Sequence, residues 1–587
     1  MRNAALILVG GWVMACTSAS PPAAPDATVD VPPMGVDDVR ATAVDVVDAS
    51  SADLATIDAP AVDAITTDAG ALDAPPADVP VGPWRSRLYP TAWRPADTSA
   101  EGHFLHDFSY AGYHNGVGPL GARVPSMQVD VTTRGADATG AHDATAAVQG
   151  AIDAVSHAGG GVVLIPAGLY RIDGVLRVTA SNVVLRGAGS TQTRLYFTRT
   201  TGMAYDSHLA LRGALTSDLE VALSVEGVPR EDSVVVADAR TLAVGDDIQI
   251  GWTITPEFIA EHGMTGVWTA FNDHWEPFFH RHVVALEPVT GGVRVRLDVP
   301  LRYPAKLRDH ASIRRVRGMI REVGVEALAL SNAVAWHDAW AFNQVHVLEL
   351  SGVADGWVRD VATFSSPLAP TGGNGAGAHL QSSGAMVLLS KRVTFADSRM
   401  ELAENRGDNG NGYLWELRQS SEVLWRDLVG RAGRHNFIQN WGFGVTGCVW
   451  LRVHSSEGQQ ALSETLPIGL ITYSEFHHSL ATANLIDDST FDDGVSTVNR
   501  GSESTGAGIT GTQSVFWNTQ GRGVLRSFQF GVGYVIGTRG VTLEVDPIEP
   551  FVGDGTAPVD YLEGANRGAG LDPPSLYDDQ LRRRTMP

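Results

Sequence analysis

The sequence predicts an all-β chain folded as a parallel β-helix, a solenoid interrupted by a small β-rich insertion and closed by short capping helices. Three observations carry this. Short Val, Leu and Ile runs are bounded by Gly, Asn, Asp and Ser, with 64 glycines among 587 residues, which is a strand-and-turn grammar. One strand pattern recurs at intervals in the second half. From Asp143 a single helical segment passes directly into a run of short strands. Length alone implies roughly three domains, but solenoid coils contact only their neighbours and escape that count.

Taken in order, residues 1–16 read as an export signal: Arg2 precedes the apolar run from Ala4 to Val13. Val13-Met14-Ala15-Cys16 resembles the lipobox of bacterial lipoproteins, which implies lipidation at Cys16. Met14 departs from the small or short branched residue usual there, and ordinary signal cleavage is the alternative. The resemblance implies an exported protein, lipid-anchored to a bacterial membrane, with Thr17 favouring the outer membrane. The apolar run is shorter than the roughly 20 residues of a spanning helix, so the lipid is the expected membrane contact. Of the two cysteines, Cys16 is then taken up. No intramolecular disulfide is expected, and Cys448, inside an apolar run, reads as core rather than nucleophile.

Residues 17–83 read as a disordered tether. No aromatic residue occurs from 19 to 82, and Ala, Asp, Pro, Val, Thr and Ser dominate, a composition that cannot bury enough surface to fold. Asp recurs at every fifth position from Asp48 to Asp78, a period that suits neither helix nor strand, and self-repulsion extends such a chain. Between Pro21 and Gly82, twelve Asp and one Arg account for −11 of the net −23. The remainder is only mildly acidic, which argues against nucleic acid as a partner.

Residues 84–128 form an N-terminal extension, and the solenoid occupies 129–587. Asp143-Ala144-Thr145 caps a helix whose Ala147, Val148, Ile152 and Val155 recur at helical spacing. Gly159-Gly160-Gly161 ends it, and Val162-Val163-Leu164-Ile165 is the continuous apolar run of a strand buried on both faces. Pro166-Ala167-Gly168 turns the chain, Tyr170-Arg171-Ile172 resumes it, and Val183 to Gly189 begins another coil. Together with Gly135-Ala136-Asp137, these ordered motifs resemble the opening of the pectate-lyase superfamily, in its rhamnogalacturonase/epimerase-like branch. The resemblance covers about 60 residues. It implies a right-handed parallel β-helix acting on a polysaccharide, without naming the reaction, since lyases, glycoside hydrolases, epimerases and phage tailspikes share this opening.

Four later segments align: Gly356 to Val361, Arg392 to Asp397, Glu422 to Asp427, and Cys448 to Val453. Taking Arg359, Ala396, Arg426 and Arg452 as equivalents gives spacings of 37, 30 and 26 residues. The varying interval implies loop insertions on one face, in a solenoid usually the binding face. Residues 200–316 break the pattern with alternating strands and read as the insertion. Its loop from Glu257 to Phe279 gathers His, Asp, Glu and Trp without a tight ligand pair at zinc spacing, so a substrate wall or plain packing is expected there rather than a metal. Residues Ser575 to Arg584 read as a closing helix.

The densest polar constellation runs from Glu401 to Gly444, with residue types a core does not need. An acidic polysaccharide explains them. In β-elimination a base removes the proton beside a uronate carboxylate, which is too weakly acidic unless that carboxylate is neutralised. Arg406 and Arg434 are the expected carboxylate clamps, His435 the base or neutraliser, and Tyr413 the proton donor to the leaving oxygen. Asn411, Asn436 and Asn440 would orient the sugar and Trp441 would stack on a pyranose ring, although stacked Asn also forms internal ladders. His477 and His478 are further substrate-binding candidates; neighbours on a strand point to opposite faces, so one of the two is expected to face a groove.

The enzymatic rival is glycoside hydrolysis by paired carboxylates, for which Glu404 and Asp408 lead, with Asp397, Glu401 and Asp427 behind them. The Asp487-Asp488 and Asp492-Asp493 pairs sit in stretches that read as turns. The non-enzymatic rival is a surface carbohydrate-binding protein. No cofactor is certain and no metal site is assigned; Ca2+ is left open, because scattered acids without a fixed loop pattern do not define a site. The sequence sets no oligomeric state.

Overall fold

Val163, Leu185, Val325, Val358, Phe395, Trp425, Trp450, Ile486, Phe516 and Val535 come from ten separate strands and stand level with one another, each beside the next. All are buried in one core. Such a column requires parallel, in-register coils, and the computed structural model is a right-handed parallel β-helix. It describes residues 82–467, 469–545 and 559–586. Cys16 and the tether up to residue 81 lie outside the described residues. Among the described residues, no helix is long and apolar enough to cross a membrane.

Two parallel sheets close over the core. The first runs from Gln128–Asp130 through Trp357–Thr363, Thr394–Glu401 and Leu424–Arg431 to Tyr561–Glu563. The second stacks ten strands from Leu176–Val178 through Tyr413–Arg418, His435–Gln439 and Ser474–Phe476 to Thr542–Glu544. Large rings fill the interior: Trp425 and Trp450 stack at 5.3 Å, and Trp450 and Phe476 at 5.3 Å. Truncating one such tryptophan to Ala would cost about 3–5 kcal/mol in lost contacts and cavity.

The first sheet's strands bend at one level, where Ala327, Asp360, Asp397, Asp427, Arg452, Asp488 and Asn518 all have left-handed φ between 47° and 56°. Asp and Asn tolerate this region best among residues with a Cβ, which explains their recurrence. The level also corrects the repeat alignment. Arg359 pairs with Ala396 and Ala396 with Arg426, but Arg426 pairs with Leu451. Arg452 therefore belongs with Asp427, and the last interval is 25 residues.

Thr145–His157 covers the N-terminal coil, burying Val148, Ala151, Ile152 and Val155. Residues 216–317 form a six-stranded antiparallel sheet with its own aromatic core. The closing helix spans Leu576–Thr585, and it packs with Leu88, Tyr89, Leu105 and Phe108 on the outer face of the first sheet, over Leu424, Leu451 and Leu485. Asp487 ends a strand rather than lying in a turn. It accepts bonds from Ser575 Oγ at 2.7 Å and from the backbone N–H groups of Leu576 and Tyr577, satisfying donors that a helix start leaves open.

Candidate active site

Strand alternation in the second sheet sends Glu416 and Arg418 outward while Trp415 and Leu417 enter the core. Tyr413 stands level with His435, and Glu416 with Ile438 and Glu475. Above them opens a cleft of about 480 Å³ lined by Tyr413, Arg418, Arg434, Trp441, His477 and His478, with Asn440 and Arg500 at its floor and Asp408 and Glu503 at its rim. Trp441 is held from behind by the insertion, whose Phe271 lies 5.6 Å from it, and from the front by His478 at 4.6 Å.

The charges are unevenly compensated. Burial works against the charge of Glu475, yet His435, Arg500 and His477 hold its carboxyl well below the usual range. Burial likewise opposes the charge of Glu416, but Arg418 at 2.6 Å and His346 at 2.7 Å bring it down to about 2. Burial pushes the imidazole of His435 down to about 4 and that of His477 to about 3, and holds His478 well below its ordinary value. All three rings are therefore neutral at neutral pH and keep a lone pair. Burial raises the Tyr413 phenol, whose hydroxyl has no protein hydrogen bond among the described residues. Arg434 donates to the carbonyl of Gly407 at 2.8 Å, lies 4.0 Å from Asp408, and leaves its Nε without a partner.

Of the residues singled out from sequence, Tyr413, Arg434, Asn440, Trp441, His477, His478 and Asp408 line this cleft. Both histidines face it, contrary to the expectation from alternation, because the strand Ser474–Phe476 ends before them. His435 sits behind Tyr413, ring to ring at 5.3 Å, with Nδ1 bound to the carbonyl of Tyr473 at 2.6 Å; it does not line the cleft as a base would. Arg406 is also outside the lining, with its Nε buried and unpartnered.

Asn411 and Asn436 are corrected to structural residues. Asn411 spends its amide on Gln344, Ser382, Asn343 and the Asp408 carbonyl. Asn436 turns inward to Ser455, Ser456 and Asp493. Glu404 is buried beneath the loop, where burial raises its carboxyl to about 8, and it does not share the cleft with Asp408. Asp397 and Asp427 occupy the left-handed corner of the first sheet, and Glu401 pairs with Arg431 at 2.8 Å. In the insertion loop Trp268 and His262 are buried, His262 bonding Tyr303 at 2.7 Å, while Ile259, Trp268, Thr269 and Asn272 line a separate pocket of about 300 Å³.

Sequence reasoning gave no role to Arg418, Glu416 or Glu475. The residue after each strand's last core position was the available signal, since Arg418, Asn440 and His477 follow Leu417, Gln439 and Phe476 at one level. Beside the cleft, His435, Glu475 and His477 could hold a metal ion: each offers a ligand atom, all within 4.8 Å of one another.

The class of protein is thus a right-handed parallel β-helix with a polar cleft on one sheet. Residues 128–210 match the family described as rhamnogalacturonase A/epimerase, pectate lyase-like, so the resemblance carried by the opening motifs is borne out over that segment. Over 74 residues, 11% of this chain, the sequence is 47% identical to mannuronan C5-epimerase AlgE3 of Azotobacter vinelandii, covering 4% of that protein. Over a stretch of the same length it is 43% identical to alginate lyase 7 of Azotobacter vinelandii, covering 8% of it. The chain spans less than a tenth of the length of these relatives. Among solved structures, the tailspike gp49 of Pseudomonas phage LKA1 aligns over 74% of this chain and 78% of its own at 14% identity, with a TM-score of 0.33.

Proposed function

We propose that the protein cleaves an acidic, uronate-containing polysaccharide by β-elimination in this cleft. The observation that carries the reading is that a neutral imidazole, His478, shares one cleft with the tyrosine hydroxyl of Tyr413 and the under-compensated guanidinium of Arg434. Arg434 pairs with the uronate carboxylate and lowers the cost of charge developing beside it. His478 takes the C5 proton, the electron pair forms the C4–C5 double bond as the C4–O bond breaks, and Tyr413 protonates the departing oxygen. Trp441 offers its face to a pyranose ring.

The mannuronan epimerases and the alginate lyase matched above support a uronate substrate, and both chemistries begin by taking a proton beside the carboxylate. Carboxylate-pair hydrolysis is disfavoured because Glu404 is sequestered from Asp408. The Cys16 lipobox and the acidic tether support display on a bacterial membrane, which acyl labelling lost in Cys16→Ala would test. The function is tested by incubating the protein with polyuronates and with neutral glycans while following ultraviolet absorbance and reducing ends. Unsaturated product from polyuronates alone is expected. Reducing ends without absorbance indicate hydrolysis, inverted C5 without chain cleavage indicates epimerisation, and no turnover leaves a binding protein; each overturns the lyase reading.

A further inference from the structure

His435 lies with Nδ1 2.6 Å from the Tyr473 carbonyl oxygen, a group that only accepts. The ring proton is therefore on Nδ1, and Nε2 carries the lone pair. That lone pair points at Glu475 Oε1, 3.4 Å away. On the other side, His477 Nδ1 touches the same oxygen, and Arg500 Nη1 approaches Nδ1 at 2.6 Å. A guanidinium only donates, so the single lone pair of this nitrogen accepts from Arg500. The pair of His435 Nε2 thus meets the Glu475 oxygen in a buried group, and the pair of His477 Nδ1 joins them once Arg500 swings away. Electron pairs in mutual contact repel unless a cation sits among them.

We propose that His435, Glu475 and His477 bind one divalent transition-metal ion of the Zn2+, Co2+ or Mn2+ kind. Two imidazoles and one carboxylate are the donor set such ions prefer, whereas Ca2+ takes six or more oxygens. An ion about 2.1 Å from each of two donors at tetrahedral angles separates them by about 3.4 Å, the distance between His435 Nε2 and Glu475 Oε1, whereas His477 Nδ1 lies closer to that oxygen and turns away from it to join the set. Arg500 is the counter-charge the metal replaces: its other nitrogen already reaches the exposed Glu503 at 3.4 Å, a resting place at the rim. Tyr413 lies beside the group, 5.3 and 6.1 Å from the two rings. The ion's task, neutralising a uronate carboxylate beside Arg434, rests on the proposed lyase reading; the site itself does not.

A second cluster, His114, Glu322 and Asp355, offers one imidazole instead of two. Tyr113 donates to Glu322, and Arg392 and Arg321 donate to Asp355, so its electron pairs are already met.

The test uses the untagged full-length chain, stripped with chelator and titrated with Co2+ and Zn2+ by calorimetry and by the visible absorption of bound Co2+. One equivalent is expected. His435→Ala and Glu475→Gln should each weaken it by on the order of 100-fold or more, since loss of a mere supporting partner already costs 10–100-fold. Arg500→Ala should tighten it. Glu475→Gln keeps the size of the side chain, and an unchanged melting temperature without metal shows that folding is not the cause. Absence of stoichiometric binding, or affinity equal to the parent's in Glu475→Gln and His435→Ala, overturns the site. Metal bound in the absence of any polyuronate turnover leaves the site standing and removes the lyase reading; turnover unaffected by stripping does the reverse.

Discussion

Replacing Tyr413 by Phe deletes one oxygen from the cleft and little else. The ring is buried among His435 and His477, and Phe fills the same space. The hydroxyl has no protein partner to orphan, so the stability change should stay within about 0.5 kcal/mol, as for sites without a broken network. As proton donor to the leaving oxygen, the same hydroxyl contributes about 10²–10⁴-fold. At 1.36 kcal/mol per tenfold this is about 2.7–5.4 kcal/mol of barrier. Because the group acts in the transition state rather than in binding, kcat should carry the loss with KM nearly unchanged. Initial rates of unsaturated product, beside thermal unfolding of both proteins, measure it. A kcat within tenfold of the parent, with folding intact, refutes the assignment of Tyr413.

Arg434→Ala should lower kcat/KM on polyuronates by about 10–100-fold, the worth of a charge-assisted contact, as read from initial rates; undiminished turnover shows the carboxylate lies elsewhere. Glu404 carries a folded carboxyl raised to about 8 by burial, with Asp338 adding to it. An unfolded Glu ionises near about 4.3, so the native state holds the extra proton and stability falls as pH rises from about 4 to about 8. Glu404→Gln removes that slope: its melting temperature relative to the parent should rise between pH 5 and 9, and a constant difference contradicts the burial argument. At the exposed Asp397, φ is 52°. Asp397→Val should therefore cost about 1–2 kcal/mol in denaturant unfolding while Asp397→Gly is near neutral, and equal effects would mean the corner is unstrained.

The fold was legible because each coil repeats the same demands. Apolar runs at Val162 to Ile165 and Val183 to Leu185 need burial on both faces. Register was harder. Arg452 looks like Arg426 in sequence, yet the shorter coil brings Leu451 level with it, and a one-residue shift exchanges inward for outward. The direction of each side chain suffered similarly: Asn436 and His435 are neighbours, and the backbone sends one into the solenoid and the other toward Tyr413.

The cleft was legible as a density of polar residues but not as a geometry. Tyr413, His435 and Glu475 come from three strands, and the chain between them is of unequal length, so nothing local fixes their level. Glu475 in particular acquires meaning only from what surrounds it. In sequence it precedes a phenylalanine and two histidines; in the solenoid its carboxylate is the one anion shared by His435, His477 and Arg500. The insertion adds a second non-local element, because Phe271 supports the Trp441 ring from a segment 170 residues earlier. A cleft whose aromatic wall depends on that insertion cannot be moved to a bare β-helix by copying Tyr413, Arg434 and His478 alone. The surrounding coils supply the level, and the insertion supplies the wall.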